Sequence, residues 1–119
     1  QKNYNNFLIV SGKDQEKEET YIKEKLNSSN TNLIFTSKKE ISEIIPDILK
    51  CKYYIGNDTG FAHLFINYGI KSYIIYGNCV PQYYSKLINI IDKDENIERS
   101  DTSIKTITIK KVIDSIKMI

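Results

Sequence analysis

The residues best suited to chemistry lie close together, in Asp58-Thr59-Gly60 and, three positions on, His63. A strand-forming run ends just before them and a short apolar segment begins just after, which predicts a turn between a strand and a helix. The first turn of a helix has backbone N–H groups without intrahelical partners, and the peptide dipoles add positive potential there. A phosphate group fits both features. We therefore predict a phosphate-binding corner at residues 57–60.

Each residue of this corner has a role that its chemistry allows. Asp58 or Thr59 can cap the first turn, and Gly60 lets a ligand approach the backbone closely. His63 is the only histidine in the chain and lies on the same helical face as Gly60. A capped turn with a packed histidine is the alternative interpretation of the same residues.

Strand-like and helix-like segments alternate along the rest of the chain. The predicted strands are 7–10, 33–35, 53–56, 72–76 and 88–91, and the predicted helices are 13–27, 40–51, 61–68, a short one in 81–87 and a last one capped by Thr108. Pro46 interrupts the second helical pattern, so we expect two short helices or a kink there. Residues 92–102 are predicted to form a polar surface loop and 104–107 a connection. The alternation predicts an α/β, Rossmann-like three-layer αβα fold with a mainly parallel sheet.

In open parallel sheets, ligands bind outside the carboxyl ends of the strands. Polar corners follow three of the predicted strands, at residues 11–14, 36–37 and 57–60. We expect them to converge on one crevice that Gly77-Asn78 borders.

Composition excludes several classes of function. The formal charge is only +2 and the lysines are scattered, so a nucleic-acid partner is not indicated. Cys51 and Cys79 lack the spacing of a metal or redox site and are expected to be reduced thiols. No apolar run has the length of a membrane span, so we expect a cytoplasmic location. Because the sequence begins with Gln1, we expect it to be part of a longer protein.

The chain resembles the heptosyltransferase family, glycosyltransferase family 9, in the run Ile55-Gly56-Asn57-Asp58-Thr59-Gly60-Phe61-Ala62-His63-Leu64, which is followed by Gly69 and Gly77. Three weaker similarities to the family's pattern are Ser11-Gly12 with Glu16, Thr36-Ser37-Lys38-Lys39-Glu40-Ile41 and Ile107-Thr108-Ile109-Lys110-Lys111-Val112.

The resemblance implies that residues 1–119 form a single nucleotide-sugar-binding domain, the donor half of a two-domain GT-B enzyme. Its implied substrate-binding residues are Gly12, Glu16, Thr36, Ser37, Asp58, Thr59, Gly60 and His63. Thr59 and Gly60 would contact the diphosphate of a donor such as ADP-heptose. Asp58 and His63 would complete the pocket around phosphate and sugar. Glu16 would approach the ribose, and Thr36-Ser37 the base.

The implied reaction is an inverting displacement. A base removes the proton of an acceptor hydroxyl, the hydroxyl attacks the anomeric carbon, and the nucleotide diphosphate leaves, stabilised electrostatically by the corner. In the family the base belongs to an N-terminal domain that binds the acceptor, a lipopolysaccharide or another glycan. An earlier strand, with a glycine loop, forms the middle of the donor domain's sheet. Nothing before Phe7 matches either feature, so we expect no catalytic residue and no turnover in this chain alone. We also expect no metal or other cofactor, and a full-length enzyme at the inner face of the membrane.

Other functions fit parts of the sequence. A receiver domain has this length and a mid-chain aspartate, but its Mg²⁺ site needs carboxylates after the first strand, where Ser11-Gly12 lie with only Asp14 nearby. A non-catalytic nucleotide-binding or interaction module would share the corner. Nucleophilic catalysis by Cys51 or Cys79 is disfavoured, because neither has a histidine nearby in sequence.

Overall fold

The computed structural model describes residues 5–26, 30–81 and 85–117. Over these residues five strands alternate with helices, in the order β1 Asn6–Ile9, α1 Glu16–Lys25, β2 Asn32–Phe35, α2 Ile41–Ile48, β3 Tyr53–Asn57, α3 Gly60–Asn67, β4 Lys71–Ile75, β5 Ile88–Ile91, a 3-10 helix Ser103–Thr106 and α4 Ile109–Lys117. Every pairing between these strands is parallel. The predicted α/β, Rossmann-like class with parallel strands is confirmed.

The strands are hydrogen-bonded in two sets. β1 pairs with β2, and β4 lies between β3 and β5 in a three-stranded sheet. The chain divides into two compact units that contain these sets, unit 1 over Gln1–Cys51 and unit 2 over Lys52–Ile119. The single domain expected over residues 1–119 stays a prediction.

Unit 1 has polar side chains among its buried residues. Ile44 and Ile48, one turn apart on α2, are fully buried, as the apolar spacing of that helix requires. Glu19 of α1 is buried too, together with Thr36 and Ser37 at the carboxyl end of β2. Buried polar groups need hydrogen-bond partners, and Glu19 and Thr36 have them, as described below.

Helix α2 runs through Pro46 as one helix, which corrects the two short helices allowed for there. The kink, which was the other expected outcome, stays a prediction. Proline has no N–H, so one bond to the preceding turn is lost. Pro46 is exposed, and the other end of the helix is well closed by a capping box. In that box the Glu40 N–H donates to Glu43 Oε2 at 2.7 Å.

The core of unit 2 lies where α3 packs near the three-stranded sheet. Ala62, Phe65 and Ile66 are buried at helical spacing on α3, and the central strand contributes the buried Tyr73 and Ile74. This packing fixes the start of α3 relative to the end of β3. The predicted phosphate corner is the connection between those two elements.

Residues 92–106 were predicted to form a polar surface loop and a connection, and in the structure they also make specific hydrogen bonds to the loop after β4. The Asp92 carboxylate accepts two hydrogen bonds from Arg99, at 2.6 and 3.1 Å. The Gly77 carbonyl accepts from Arg99 Nη1 at 3.1 Å and from Ser103 Oγ at 2.7 Å. A Cβ on Gly77 would lie 2.5 Å from Ile104 Cα, so only glycine fits this contact. The segment therefore fastens the loop after β4.

The C-terminal helix begins as predicted. Thr108 Oγ1 accepts the Lys111 N–H at 3.1 Å and so caps α4. Of the apolar face of α4, Ile109 and Ile113 are exposed, while Val112 and Ile116 are half-buried. The short helix predicted in 81–87 falls partly on residues outside the described ranges, and residues 85–87 are not helical.

Candidate functional site

The predicted strand-to-helix turn is present, and its backbone is open. β3 ends at Asn57, α3 begins at Gly60, and Thr59 is the N-cap with extended backbone. Within the described part of the chain, no side chain or carbonyl accepts a hydrogen bond from the amides of residues 60–62. The space where a Cβ on Gly60 would point contains no atom within 4 Å. An anion could therefore reach these amides from solvent.

Asp58 and His63 form a pair beside this opening. His63 Nε2 lies 3.3 Å from Asp58 Oδ1, and the two side chains are 46% and 38% exposed respectively. The contact joins the strand-to-helix turn, which contains Asp58, to the start of α3, which contains His63. The imidazole is therefore held at the N-terminal end of this helix. In such a pair a protonated imidazole can donate to an anion through its other nitrogen while the carboxylate orients the ring.

Tyr54, which sequence reasoning did not select, lies under the corner. The residue is 9% exposed, and its hydroxyl donates to the Asn57 carbonyl at 3.4 Å. Burial raises the pKa of Tyr54, the Thr59 contact partly offsets that rise, and the nearby Asp58 charge adds to it. The hydroxyl is therefore a neutral donor. The signal in the sequence was Gly56, two residues from Tyr54 on the same strand face.

In unit 1 the corners after β1 and β2 contact each other. The Ser11 N–H donates to Thr36 Oγ1 at 3.1 Å, and the Ser11 hydroxyl donates to the buried Glu19 carboxylate. Hydrogen bonds from Ser11, and secondarily from Ser37, hold the pKa of Glu19 below its ordinary value despite burial. Glu19 was not predicted. Thr36 is thus held by an internal hydrogen bond, and Thr36 and Ser37 both stay candidates for ligand contact.

Glu16 and Ser37 line one open cleft of about 250 Å³, together with Glu19, Thr20, Lys23, Phe35 and Lys38. The Lys23 ammonium lies 4.7 Å from the centroid of the Phe35 ring, and the Lys38 ammonium lies 4.0 Å from the Glu16 carboxylate. The cleft offers acceptors, donors and an aromatic surface. Gly12 lies in the turn before α1, where its N–H donates to Gln15 Oε1 at 2.7 Å.

The predicted site residues therefore fall into two groups. Unit 2 brings together Asp58, Thr59, Gly60 and His63, while unit 1 brings together the corners after β1 and β2 and places Glu16 and Ser37 on one cleft. The convergence of all three corners stays a prediction, and so does a border role for Gly77-Asn78. Asn78 has a structural contact, since its Oδ1 accepts the Ile104 N–H at 2.9 Å.

Two further findings concern the described residues as a whole. They contain no group of three or more His, Cys, Asp and Glu side chains that could hold a metal ion. None of their helices has the length and apolar character to cross a membrane. The two cysteines are free, Cys51 half-buried and Cys79 exposed, and burial raises the pKa of the Cys51 thiol.

Comparison with protein-family models found no match, and comparisons with curated proteins and with solved structures found none either. The resemblance to heptosyltransferases therefore stays a prediction from the residues quoted for it.

Proposed function

We propose that this chain is the donor-binding half of an inverting glycosyltransferase that takes a heptose or similar sugar from a nucleotide diphosphate donor. One observation carries the proposal: the amides of residues 60–62 are open to solvent at a strand-to-helix turn, with the Asp58–His63 pair beside them. The motif Asp-Thr-Gly-x-x-His is informative only in such a context, because the phosphate must meet the helix start.

The corner suits the departing diphosphate. In a displacement at the anomeric carbon, negative charge grows on the phosphate oxygens as the sugar–oxygen bond breaks. Amides fixed by the packing of α3 need no reorganisation to stabilise that charge, and this is the main contribution of a preorganised site. His63 adds a side-chain donor, held in place by Asp58 at 3.3 Å. The base that deprotonates the acceptor is assigned to another part of the enzyme, as the resemblance implies.

The cleft of unit 1 suits a nucleoside. The Glu16 carboxylate can accept hydrogen bonds from ribose hydroxyls, and the Phe35 ring offers a surface for a base. Lys23 lies over that ring at 4.7 Å, so the aromatic face is shared with a cation. We assign the ribose to Glu16 and the base to the side of the cleft near Ser37.

The proposed enzyme has parts beyond those described above. The heptosyltransferase resemblance implies one more strand, in the middle of the donor domain's sheet. We propose that the complete enzyme supplies this strand, together with the domain that binds a glycan or lipid-linked acceptor at the inner face of the membrane.

Calorimetric titration with ADP, UDP, adenosine and inorganic pyrophosphate tests the proposal. We expect both nucleoside diphosphates and pyrophosphate to bind, and adenosine to bind more weakly than ADP. Binding of adenosine as tight as that of ADP, or of none of the four, would contradict a diphosphate corner. Glu16→Gln should weaken ADP without weakening pyrophosphate, because it removes a ribose contact only.

Gly60→Ala gives the matched test of the corner. A Cβ at residue 60 enters open space, so the free energy of unfolding should stay the same or rise by about 0.5–1 kcal/mol. The same methyl group occupies the path of the phosphate, so ADP and pyrophosphate should bind at least about tenfold more weakly, a loss of about 1.4 kcal/mol. Asn67→Ala, at the exposed far end of α3, is the control and should leave both affinities unchanged.

Sugar transfer separates an enzyme from a binding module that shares the corner. Supplying an N-terminal acceptor domain of the heptosyltransferase type should restore transfer from a nucleotide diphosphate sugar. Binding of ADP without any transfer by the complete protein would assign the chain to the module instead.

A further inference from the structure

The face of α1 that lines the cleft of unit 1 is entirely polar. It contributes four side chains, spaced three and four residues apart along one side of the helix, namely Glu16, Glu19, Thr20 and Lys23. Phe35 at the end of β2 and Ser37 after it also line the cleft. The proposed function places a nucleobase on the side of the cleft near Ser37. The polar groups there therefore determine which base can bind.

Glu19 is the buried member of this polar face. It is 7% exposed, whereas Glu16 is exposed. Its carboxylate accepts a hydrogen bond from the Ser11 hydroxyl, and this bond is the main cause that holds the pKa of Glu19 below its ordinary value of 4.5, against the effect of burial. The group is therefore an anion at neutral pH. An ionised carboxylate accepts hydrogen bonds and donates none.

This buried anion has no cation in contact with it. Among the residues that the structure describes, Glu19 forms no ion pair. Lys23, one turn further along α1, lies over the Phe35 ring at 4.7 Å instead. Burying a charge is unfavourable unless hydrogen-bond donors surround it, and a carboxylate can accept about four hydrogen bonds. Glu19 therefore has capacity for a further donor from a ligand in the cleft.

We propose that Glu19 is a specificity-determining residue of this cleft: its carboxylate accepts a hydrogen bond from the exocyclic amino group of a nucleobase, so that cytosine and adenine are preferred to uracil and hypoxanthine. The last two bases present a carbonyl oxygen where the first two present the amino group. Two acceptors that face each other repel, and a buried acceptor without a donor is unfavourable. That the ligand is a nucleoside rests on the proposed function, but the choice of base does not depend on the diphosphate corner.

Matched pairs of nucleosides test the preference on the wild-type protein. The pairs are cytidine with uridine and adenosine with inosine, and each pair differs chiefly in the amino group. In at least one pair, calorimetric or NMR titration should show the amino-bearing nucleoside binding about tenfold more tightly, as expected for a hydrogen bond to a charged acceptor. Equal affinities within both pairs, or no binding of any of the four nucleosides, would overturn the proposal.

Glu19→Gln assigns the preference to the carboxylate. The amide has nearly the same shape but is neutral and also donates, so the ratio of affinities within a discriminating pair should fall by at least about threefold. Glu18→Gln, exposed on the same helix and outside the cleft, is the control and should keep the ratio. A merely structural Glu19 would weaken both nucleosides alike and leave the ratio unchanged, which would overturn the proposal. If Glu19→Gln does not fold, the wild-type pairs decide the question alone.

Pyrophosphate separates this inference from the proposed function, because it lacks a base. If the wild-type protein binds pyrophosphate but does not distinguish the nucleosides of either pair, the role of Glu19 fails and the diphosphate corner stands. If the protein distinguishes the nucleosides but binds neither pyrophosphate nor ADP, the proposed function fails and the specificity of the cleft stands.

Discussion

At the scale of single residues, the corner has an open backbone beside two side chains that contact each other. Gly60 has free space around it, whereas Asp58 and His63 hold each other at 3.3 Å. Both side chains of the pair are more than a third exposed, so their mutual attraction is screened and contributes little to stability. Their contribution is expected in binding instead. Exposed polar pairs of this kind can be removed without unfolding the protein, which makes them good probes.

His63→Ala should separate binding from stability. Removing one donor to an anionic ligand is expected to weaken ADP binding about threefold to tenfold, while the free energy of unfolding changes by less than about 0.5 kcal/mol. Calorimetry and urea denaturation measure the two quantities. Asn67→Ala, on the same helix and also exposed to solvent, controls for general effects on α3. Unchanged affinity for ADP would remove His63 from the site.

Asp92→Asn should give a pH-dependent loss of stability. The hydrogen bonds from Arg99 hold the pKa of Asp92 below its ordinary value of 3.8. A depressed folded-state pKa means that the pair stabilises the native state above that ordinary value and that its contribution is lost as pH falls through the folded pKa. The variant should therefore be less stable than the wild type at neutral pH and approach it below pH 3.8.

Urea denaturation at a series of pH values from about 7 to about 2.5 measures this difference. Asp101→Asn, an exposed residue of the same segment, is the control and should show little change. A difference between wild type and Asp92→Asn that does not depend on pH would mean that the pair acts through packing alone.

Residue types predicted part of the site. The turn at 57–60 followed from a polar stretch with a glycine between a strand and a helix, although the Thr59 side chain does not cap α3 as was allowed for. Tyr54, Glu19 and the Asp92–Arg99 pair were missed. A buried tyrosine or carboxylate and an exposed one are the same letter in a sequence, and only the fold shows which donors surround them.

At the scale of elements, apolar spacing located most strands and helices to within a few residues. β5 coincides with its prediction, and α3 is displaced by one residue because Gly60 already has helical backbone. The sequence prediction gave too much weight to the helix-breaking effect of Pro46. In a helix of eight residues its missing N–H costs one bond, and the buried Ile44 and Ile48 hold the helix across it. Burial by the rest of the protein outweighed local propensity.

Pro46→Ala tests this account of α2. The alanine restores an N–H to a helix whose residue 46 is exposed, so the core is not disturbed. We expect the free energy of unfolding to rise by about 1–2 kcal/mol, less than the full helix penalty of proline because the unfolded chain gains freedom. Urea denaturation of the variant and the wild type measures this change in the free energy of unfolding. A decrease would mean that proline sets the course of the chain into the following turn.

At the scale of the whole molecule, the class of fold was predictable and the pairing of its strands was not. Alternation of strands and helices requires parallel connections, so the parallel pairing followed from the order of elements alone. The division into two hydrogen-bonded sets depends on which strands are neighbours, and no short-range pattern carries that. The same holds for α4, whose regular apolar face does not reveal that Ile109 is 79% exposed.

Two isoleucines should therefore respond very differently to truncation. Ile74 of the central strand β4 is 0% exposed, and Ile74→Ala should lower the free energy of unfolding by about 2–4 kcal/mol through lost burial and a cavity. Ile109→Ala should change it by less than about 0.5 kcal/mol. Chemical denaturation measures the free energies of unfolding of the two variants. A large loss for Ile109→Ala would show that the apolar face of α4 is covered in solution.

The claim on which the proposed function depends is that the backbone at the start of α3 binds a diphosphate. An amide-resolved NMR titration of the wild-type protein with ADP measures this most directly. We predict saturable shifts that are largest at the amides of residues 60–62 and the ring of His63, and that pyrophosphate reproduces at the same positions. Saturation with the largest shifts elsewhere, or no shift at residues 60–62 at any concentration, would contradict the account.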